Sequence, residues 1–178
     1  MSKTVHSIFI LVGLSVLSSV AYGQEVRIND KSNHPRPQIG EQAPDISLTS
    51  PTGKTFKLSE LRGQYVLLDF WAAWCAPCRK ANRKLAKTYD KFQSLGFTIY
   101  SVSLDTDKQA WENAILVDGM SWPYHVSELT GFDSPTAIRY RVDYLPDNYL
   151  IDKKGKIIAV DLKVSELEKI LKKYTANR

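Results

Sequence analysis

Cysteine is nearly missing from this chain. Cys75 and Cys78 are the only two among 178 residues, which excludes a framework of structural disulfides. Histidine is scarce too, limited to His6, His34 and His125, so a zinc site has few ligands to add to the cysteine pair. No metal and no cofactor are expected. Long apolar runs are also absent. The best, residues 8–20, holds thirteen apolar or small residues, whereas a membrane-spanning helix needs about 20. Lysine and arginine form no long block, and the formal net charge of +5 is spread along the chain, so no nucleic-acid partner is expected. No internal repeat is visible.

What is present suffices for one good core. With 43% hydrophobic residues, the chain is expected to form a single domain. Residues 1–23 have the layout of a secretory signal: Lys3 as a weak basic start, the short apolar stretch, then Ala21-Tyr22-Gly23 with small residues before a cut. No cysteine stands near that cut, so a lipid-attached N-terminus is not expected; an uncleaved anchor is the alternative. The expected address is the bacterial periplasm. Residues 24–38, polar with Pro35 and Pro37, read as a linker, and residues 39–178 as the folded domain.

Residues 65–71 form an apolar and aromatic run broken only by Asp69, the pattern of a central strand covered on both faces. Past Cys78 the period becomes helical, with Ala81, Leu85, Tyr89 and Phe92 on one stripe. A buried strand therefore delivers a Cys-X-X-Cys pair to the first turn of a helix. That placement suits thiol chemistry. The thiolate is the reactive form, and a free cysteine with pKa about 8.5 is mostly protonated at neutral pH. Unpaired N–H groups and the macrodipole at a helix start favour an anion. Pro77 fits this first turn, and Arg79 and Lys80 bring positive charge.

Cys75, at the corner, is expected to be the exposed nucleophile, and Cys78, one turn in, the buried resolving thiol. As a staple the pair would close only four residues. Chain entropy then gives about 2 kcal/mol, against roughly 4.7 for a 100-residue loop, so a redox role is favoured. Asp69 inside an apolar strand should have its pKa raised by desolvation and could exchange a proton with Cys78; on an edge strand it would face solvent instead. Pro146, just before the strand-like residues 149–151, stands where central strands exclude proline. Trp71 reads as core and Trp74 as the rim around Cys75.

Asp-Phe-Trp-Ala-Ala-Trp-Cys-Ala-Pro-Cys at residues 69–78 resembles the active-site stretch of the thioredoxin superfamily. Gly40-Glu-Gln-Ala-Pro-Asp45, Gly53-Lys54 and Leu58-Ser-Glu-Leu-Arg-Gly63 resemble the lead-in of its TlpA/ResA-type and redoxin-type (AhpC/TSA) extracytoplasmic members. The resemblance implies an α/β thioredoxin fold: a central mixed sheet flanked by helices, with an N-terminal β-hairpin extension and an insertion after the first βαβ unit. It also implies that Asp69 is the proton-transfer acid and that Pro146 is a cis-proline facing the disulfide. Leu145 would then offer its backbone to substrate, beside Trp74, Ala76 and Pro77. The sequence departs from the pattern in three ways. Residues 98–104 lack the lysine that often partners the acid, Ala81 stands where ResA-like relatives carry Glu, and Asp147 follows the proline where Thr is usual. A carboxylate there would repel a thiolate or select basic substrates.

Elsewhere the pattern is more ordinary. Residues 46–48 and 55–58 flank a Ser-Pro-Thr-Gly-Lys turn and read as a hairpin. Residues 97–104 alternate as the next strand, giving a right-handed parallel crossover. Residues 107–117 read as a second helix, 122–126 as an extended piece, and 134–140 as a short helix. Residues 149–151 and 156–160 flank Asp-Lys-Lys-Gly as an antiparallel edge hairpin. Ser165 and Glu168 suggest a capping box on a last helix with Leu167, Ile170, Leu171 and Tyr174 on its apolar stripe.

The expected activity is thiol-disulfide exchange with extracytoplasmic proteins, apocytochrome c among the candidates. An upstream membrane reductase or oxidant would recharge the pair, and the chain is expected to be a monomer. Two alternatives stand beside it. A redoxin-type peroxidase would usually show Thr-x-x-Cys, but Ala72 occupies the threonine place. A redox-silent thioredoxin-fold binding protein would leave the cysteines unused. Ala76-Pro77 does not set the direction of electron flow, since related pairs span about −270 to −120 mV.

Overall fold

The structure, a computed structural model, describes residues 35–175. The expected signal segment and residues 24–34 of the expected linker lie outside the described residues. Residues 35–38 are held on the domain: Pro37 is buried, and Arg36 donates to Asp147 at 2.8 Å and to Asp161 at 2.7 Å. The first elements are β1 (Ser47–Thr49) and β2 (Thr55–Lys57), an antiparallel hairpin separate from the main sheet. A 3-10 turn at Leu58–Leu61 buries Leu58 and Leu61. Gly63, at φ 92°, then turns the chain into β3 (Tyr65–Trp71).

A strand, helix and strand follow: β3, α1 (Ala76–Phe92) and β4 (Phe97–Ser103). Next come α2 (Lys108–Val117), β5 (Tyr124–Ser127) and α3 (Pro135–Tyr140). The hairpin of β6 (Asp147–Ile151) and β7 (Ile157–Val160) and the helix α4 (Val164–Thr175) complete the described residues. The five-stranded sheet runs β5-β4-β3-β6-β7, with β3, β4 and β5 parallel, β6 antiparallel to β3, and β7 antiparallel to β6. β3 is central, as its apolar run, broken only by Asp69, suggests. Val66, Leu68 and Phe70 face one cluster with Tyr140 and Tyr149. Leu67 and Trp71 face the other, under Leu85 and Phe92 of α1 and Leu167 and Leu171 of α4. This is the expected thioredoxin fold.

Three local expectations are corrected. β4 does not alternate between core and solvent, because every residue in it is buried. Its polar positions are satisfied inside: Ser101 accepts from the Trp122 indole at 3.0 Å, and Ser103 donates to Asp105 at 2.7 Å. A parallel strand next to the centre is covered on both sides, so alternation here marks interior hydrogen bonding and not exposure. The Ser165–Glu168 capping box does not form. With α4 starting at Val164, the carboxylate in reach of the leading backbone is Glu166, which accepts from Lys163 N at 2.8 Å. Glu168 instead accepts from Thr88 at 2.9 Å and from Lys91 at 3.3 Å on α1. Finally, α1 buries Cys78, Asn82, Leu85, Thr88 and Phe92, while Ala81 and Tyr89 are half-buried.

Candidate active site

β3 ends at Trp71 and α1 begins at Ala76, leaving four residues to carry the cysteine pair into the helix. Cys75 is the N-cap of α1, and the Cys78 amide donates to its Sγ at 3.2 Å. Pro77 occupies the first turn, where no backbone donor is needed. The two sulfurs are joined as a disulfide with Cα atoms 5.2 Å apart. Cys78 is fully buried. Cys75 is the outer of the two but is only 5% exposed, so the expectation of an open nucleophile at the corner is corrected. The exposed positions are its neighbours, Trp74 at 61%, Ala76 and Pro77. Trp74 is the rim and Trp71 is core, as their positions on either side of the strand end suggest.

The loop before Cys75 is held from both sides at one residue. Both carboxylate oxygens of Asp105 accept from the Ala73 amide, at 3.0 and 2.9 Å, and Arg79 donates to the Ala73 carbonyl at 3.3 Å. Arg79 is in turn fastened to Asp118, which also accepts from Arg83 at 2.9 Å and whose side chain is wholly buried. The guanidinium expected near the thiolate is therefore engaged in an ion pair that fixes the loop. Sequence reasoning missed Asp105 and Asp118, although each had a signal. Asp105 follows the C-terminal end of a parallel strand, where α/β sites gather. Asp118 caps the C-terminus of α2, the end at which a carboxylate opposes the macrodipole unless a cation answers it.

Asp69 lies in the middle of β3, opposite Ser101 on one side and Asn148 on the other. It is 4% exposed, and its Oδ2 has no hydrogen-bond partner among the described residues. Burial raises its pKa to about 7. Its side chain reaches the wall of a groove of about 710 Å³ that it shares with Pro77, Pro146 and Asn148. The Leu145-Pro146 peptide is cis. Leu145 is half-buried against both core clusters.

Asp147 does not behave as its position after Pro146 suggested. Its side chain is completely buried and pairs with Arg36, whose guanidinium also lies 5.4 Å from the centre of the Tyr149 ring. Burial, opposed by Arg36, raises Asp147 to about 7. It neither faces the thiol pair nor meets substrate, so selection of basic substrates by this carboxylate is withdrawn. Strand alternation is the reason: Asp147 pairs with Phe70 and shares its face of the sheet, whereas Asp69 and Asn148 point to the other.

The AhpC/TSA family model matches residues 39–160. The chain belongs to the AhpC/TSA family. It is similar to thiol-disulfide oxidoreductase ResA of Bacillus thuringiensis (strain Al Hakam), 32% identical over 141 residues that cover 78% of this chain and 79% of that protein. ResA of Bacillus subtilis (strain 168) is 30% identical over 158 residues, covering 89% and 86%. Among solved structures, the thioredoxin domain of a thiol-disulfide oxidoreductase from Bacteroides vulgatus matches with TM-score 0.72 and 35% identity, covering 78% of this chain and 98% of that one. A thiol-disulfide oxidoreductase from Bacteroides fragilis NCTC 9343 gives 0.70 and 37%, covering 75% and 99%. This AhpC/TSA member is thus TlpA/ResA-like, within the thioredoxin superfamily, and it is a thiol-disulfide oxidoreductase.

Proposed function

We propose that the protein exchanges disulfides with extracytoplasmic protein substrates through Cys75 and Cys78. The observation that carries this reading is the Cys78 amide directed at Cys75 Sγ from the first turn of α1. An amide already aimed at that sulfur stabilises a thiolate there without reorganisation. In the reduced protein, the Cys75 thiolate attacks one sulfur of a substrate disulfide; the substrate S–S bond breaks, and its other sulfur leaves as a thiolate. A mixed disulfide results. Asp69, ionised above about pH 7, takes the proton of the Cys78 thiol. The Cys78 thiolate then attacks Cys75 Sγ, forming the Cys75–Cys78 disulfide and expelling the second substrate thiolate. The substrate is reduced and the protein oxidised; the reverse sequence oxidises a dithiol. A membrane reductase or oxidant resets the pair in the periplasm.

Trp74, Ala76, Pro77 and the Leu145 backbone would meet the substrate. An apocytochrome c fits this scheme as one protein dithiol or disulfide among several. The test is trapping. Cys78→Ser should accumulate Cys75-linked adducts with periplasmic proteins that reductant dissolves, while Cys75→Ser should accumulate few. If Cys78→Ser traps nothing while the wild type consumes peroxide, the protein is a peroxidase; if neither occurs, it is a redox-silent binder.

A further inference from the structure

The groove at Asp69 and Pro146 begins at Pro77, the residue just before Cys78, without being lined by either cysteine. It continues between α1 and α4 as far as Lys91 and Glu168. From Pro77 to Lys91 the helix rises fourteen residues, about 21 Å at 1.5 Å each. An extended peptide covers that distance in about six residues. The floor is apolar, made by Leu67, Leu85, Leu162, Val164 and Leu167. The rim is cationic. Lys80, Lys84, Lys87 and Lys91 come from α1 at spacings of four, three and four, which places them along one side of the helix, and Lys163 stands on the opposite bank.

Most of this charge is unanswered. Of the groove's carboxylates, Asp161 is engaged by Arg36, and Glu168 accepts from Thr88 and Lys91. The third, Asp69, is largely protonated below about pH 7. Lys80, Lys84, Lys87 and Lys163 take part in no ion pair among the described residues. An occupant must therefore bring negative charge for the rim and apolar side chains for the floor. Alternate side chains of an extended strand point in opposite directions, so one chain can offer both.

We propose that the α1–α4 groove is a specificity subsite that holds an extended, acidic segment of the protein substrate, alternating apolar and carboxylate side chains, next to the disulfide being exchanged. It rests on the exchange reading for the identity of the occupant as a substrate. It also reverses the sign that Asp147 had suggested: the groove selects acidic polypeptides.

The probe is a dye-labelled, cysteine-free peptide of about eight residues alternating Asp and Leu, with a Lys and Leu counterpart, titrated against the full oxidised protein by fluorescence anisotropy. The acidic peptide should bind about tenfold more tightly than the basic one at low salt, with the gap closing as ionic strength rises. Lys84→Glu with Lys87→Glu should abolish or invert the preference. Lys169→Glu with Lys173→Glu, an equal charge change outside the groove, should preserve it. Equal binding of the two peptides, or equal loss in both double variants, overturns the proposal. If the groove variant does not fold, amide shift mapping on the wild type decides: acidic peptide must perturb residues 80–91 and 162–168, and perturbation elsewhere overturns it. Reduction of bis(2-hydroxyethyl) disulfide, measured separately, reads exchange alone. Exchange without acidic preference removes the subsite and keeps the function. Acidic preference in the groove without exchange removes the function and keeps the groove.

Discussion

Two buried carboxylates sit one step apart on neighbouring strands, and their surroundings differ. Asp69 on β3 is opposite Asn148, and Asp147 on β6 is opposite Phe70, so the two acids emerge on opposite faces of the sheet. Burial pushes both to about pH 7. Asp147 has Arg36 at 2.8 Å, and its face is sealed by the aromatic cluster of Phe70, Tyr140 and Tyr149. Each acid has one oxygen without a hydrogen-bond partner among the described residues, but Asp69 has no cation paired with it among them, and a groove leads away from it. A raised pKa by itself therefore does not mark a catalytic acid. Nor does an unpaired oxygen, since Asp147 Oδ2 shares that state; what separates the two acids is the cation beside Asp147 and the groove beside Asp69.

The largest expected effect comes from removing the unpaired charge. Between an ordinary carboxyl pKa near 4 and the folded value of about 7, the native state holds a proton that the unfolded state has lost. Native stability accordingly falls as pH rises across that window, by roughly 4 kcal/mol at most. Asp69→Asn should remove this loss, making the variant more stable than the wild type at pH 8 and little different at pH 4 in urea unfolding. The same variant should exchange more slowly near neutral pH and lose the rise in rate through pH 7. A stability gain with an unchanged rate–pH profile would leave Asp69 as a structural burden with no part in proton transfer.

Removing the partner on the other face should have the opposite sign. Arg36→Ala strands the Asp147 carboxylate in a sealed site. Breaking a fully buried pair costs about 3–5 kcal/mol. Arg36 is a quarter exposed, so about 2–3 kcal/mol is expected where Asp147 is ionised, shrinking as pH falls toward 7 because Asp147 without Arg36 takes up its proton at a higher pH. A loss that does not shrink with acidification would show that the strap of residues 35–38 acts through packing and not through this charge.

The smallest effect sharpens the contrast. Asp147→Asn keeps the side chain's shape and leaves Arg36 its second acceptor, Asp161. A cost of about 1 kcal/mol is expected, with the exchange rate and its pH dependence as in the wild type. If this variant instead lost the rise through pH 7, the proton assigned to Asp69 would belong to both faces.

The corrections follow the same division. Cys75 and Cys78 at a strand-to-helix corner, the succession of strands and helices implied by periodicity, and Asp69 as a buried acid were all legible. Each depends on short-range pattern: an apolar run, a change of period, one charged residue where none belongs. The capping pair on α4 was misplaced because it depends on the residue at which the helix starts, and Glu168 is drawn across to Thr88 and Lys91. Asp147 was misread because adjacency to Pro146 in sequence is not adjacency in space when side chains alternate across a sheet.

The sequence by itself determined that a redox pair would stand at the start of a helix behind a buried strand, since local propensity and hydrophobic period act over a few residues. Only the tertiary structure decided which charges meet. Arg36 finds Asp147 across 111 positions, Asp105 holds Ala73 across 32, and Arg79 reaches Asp118 across 39. A buried charge is stable only beside its partner, and at such separations the partner is chosen by how the layers pack.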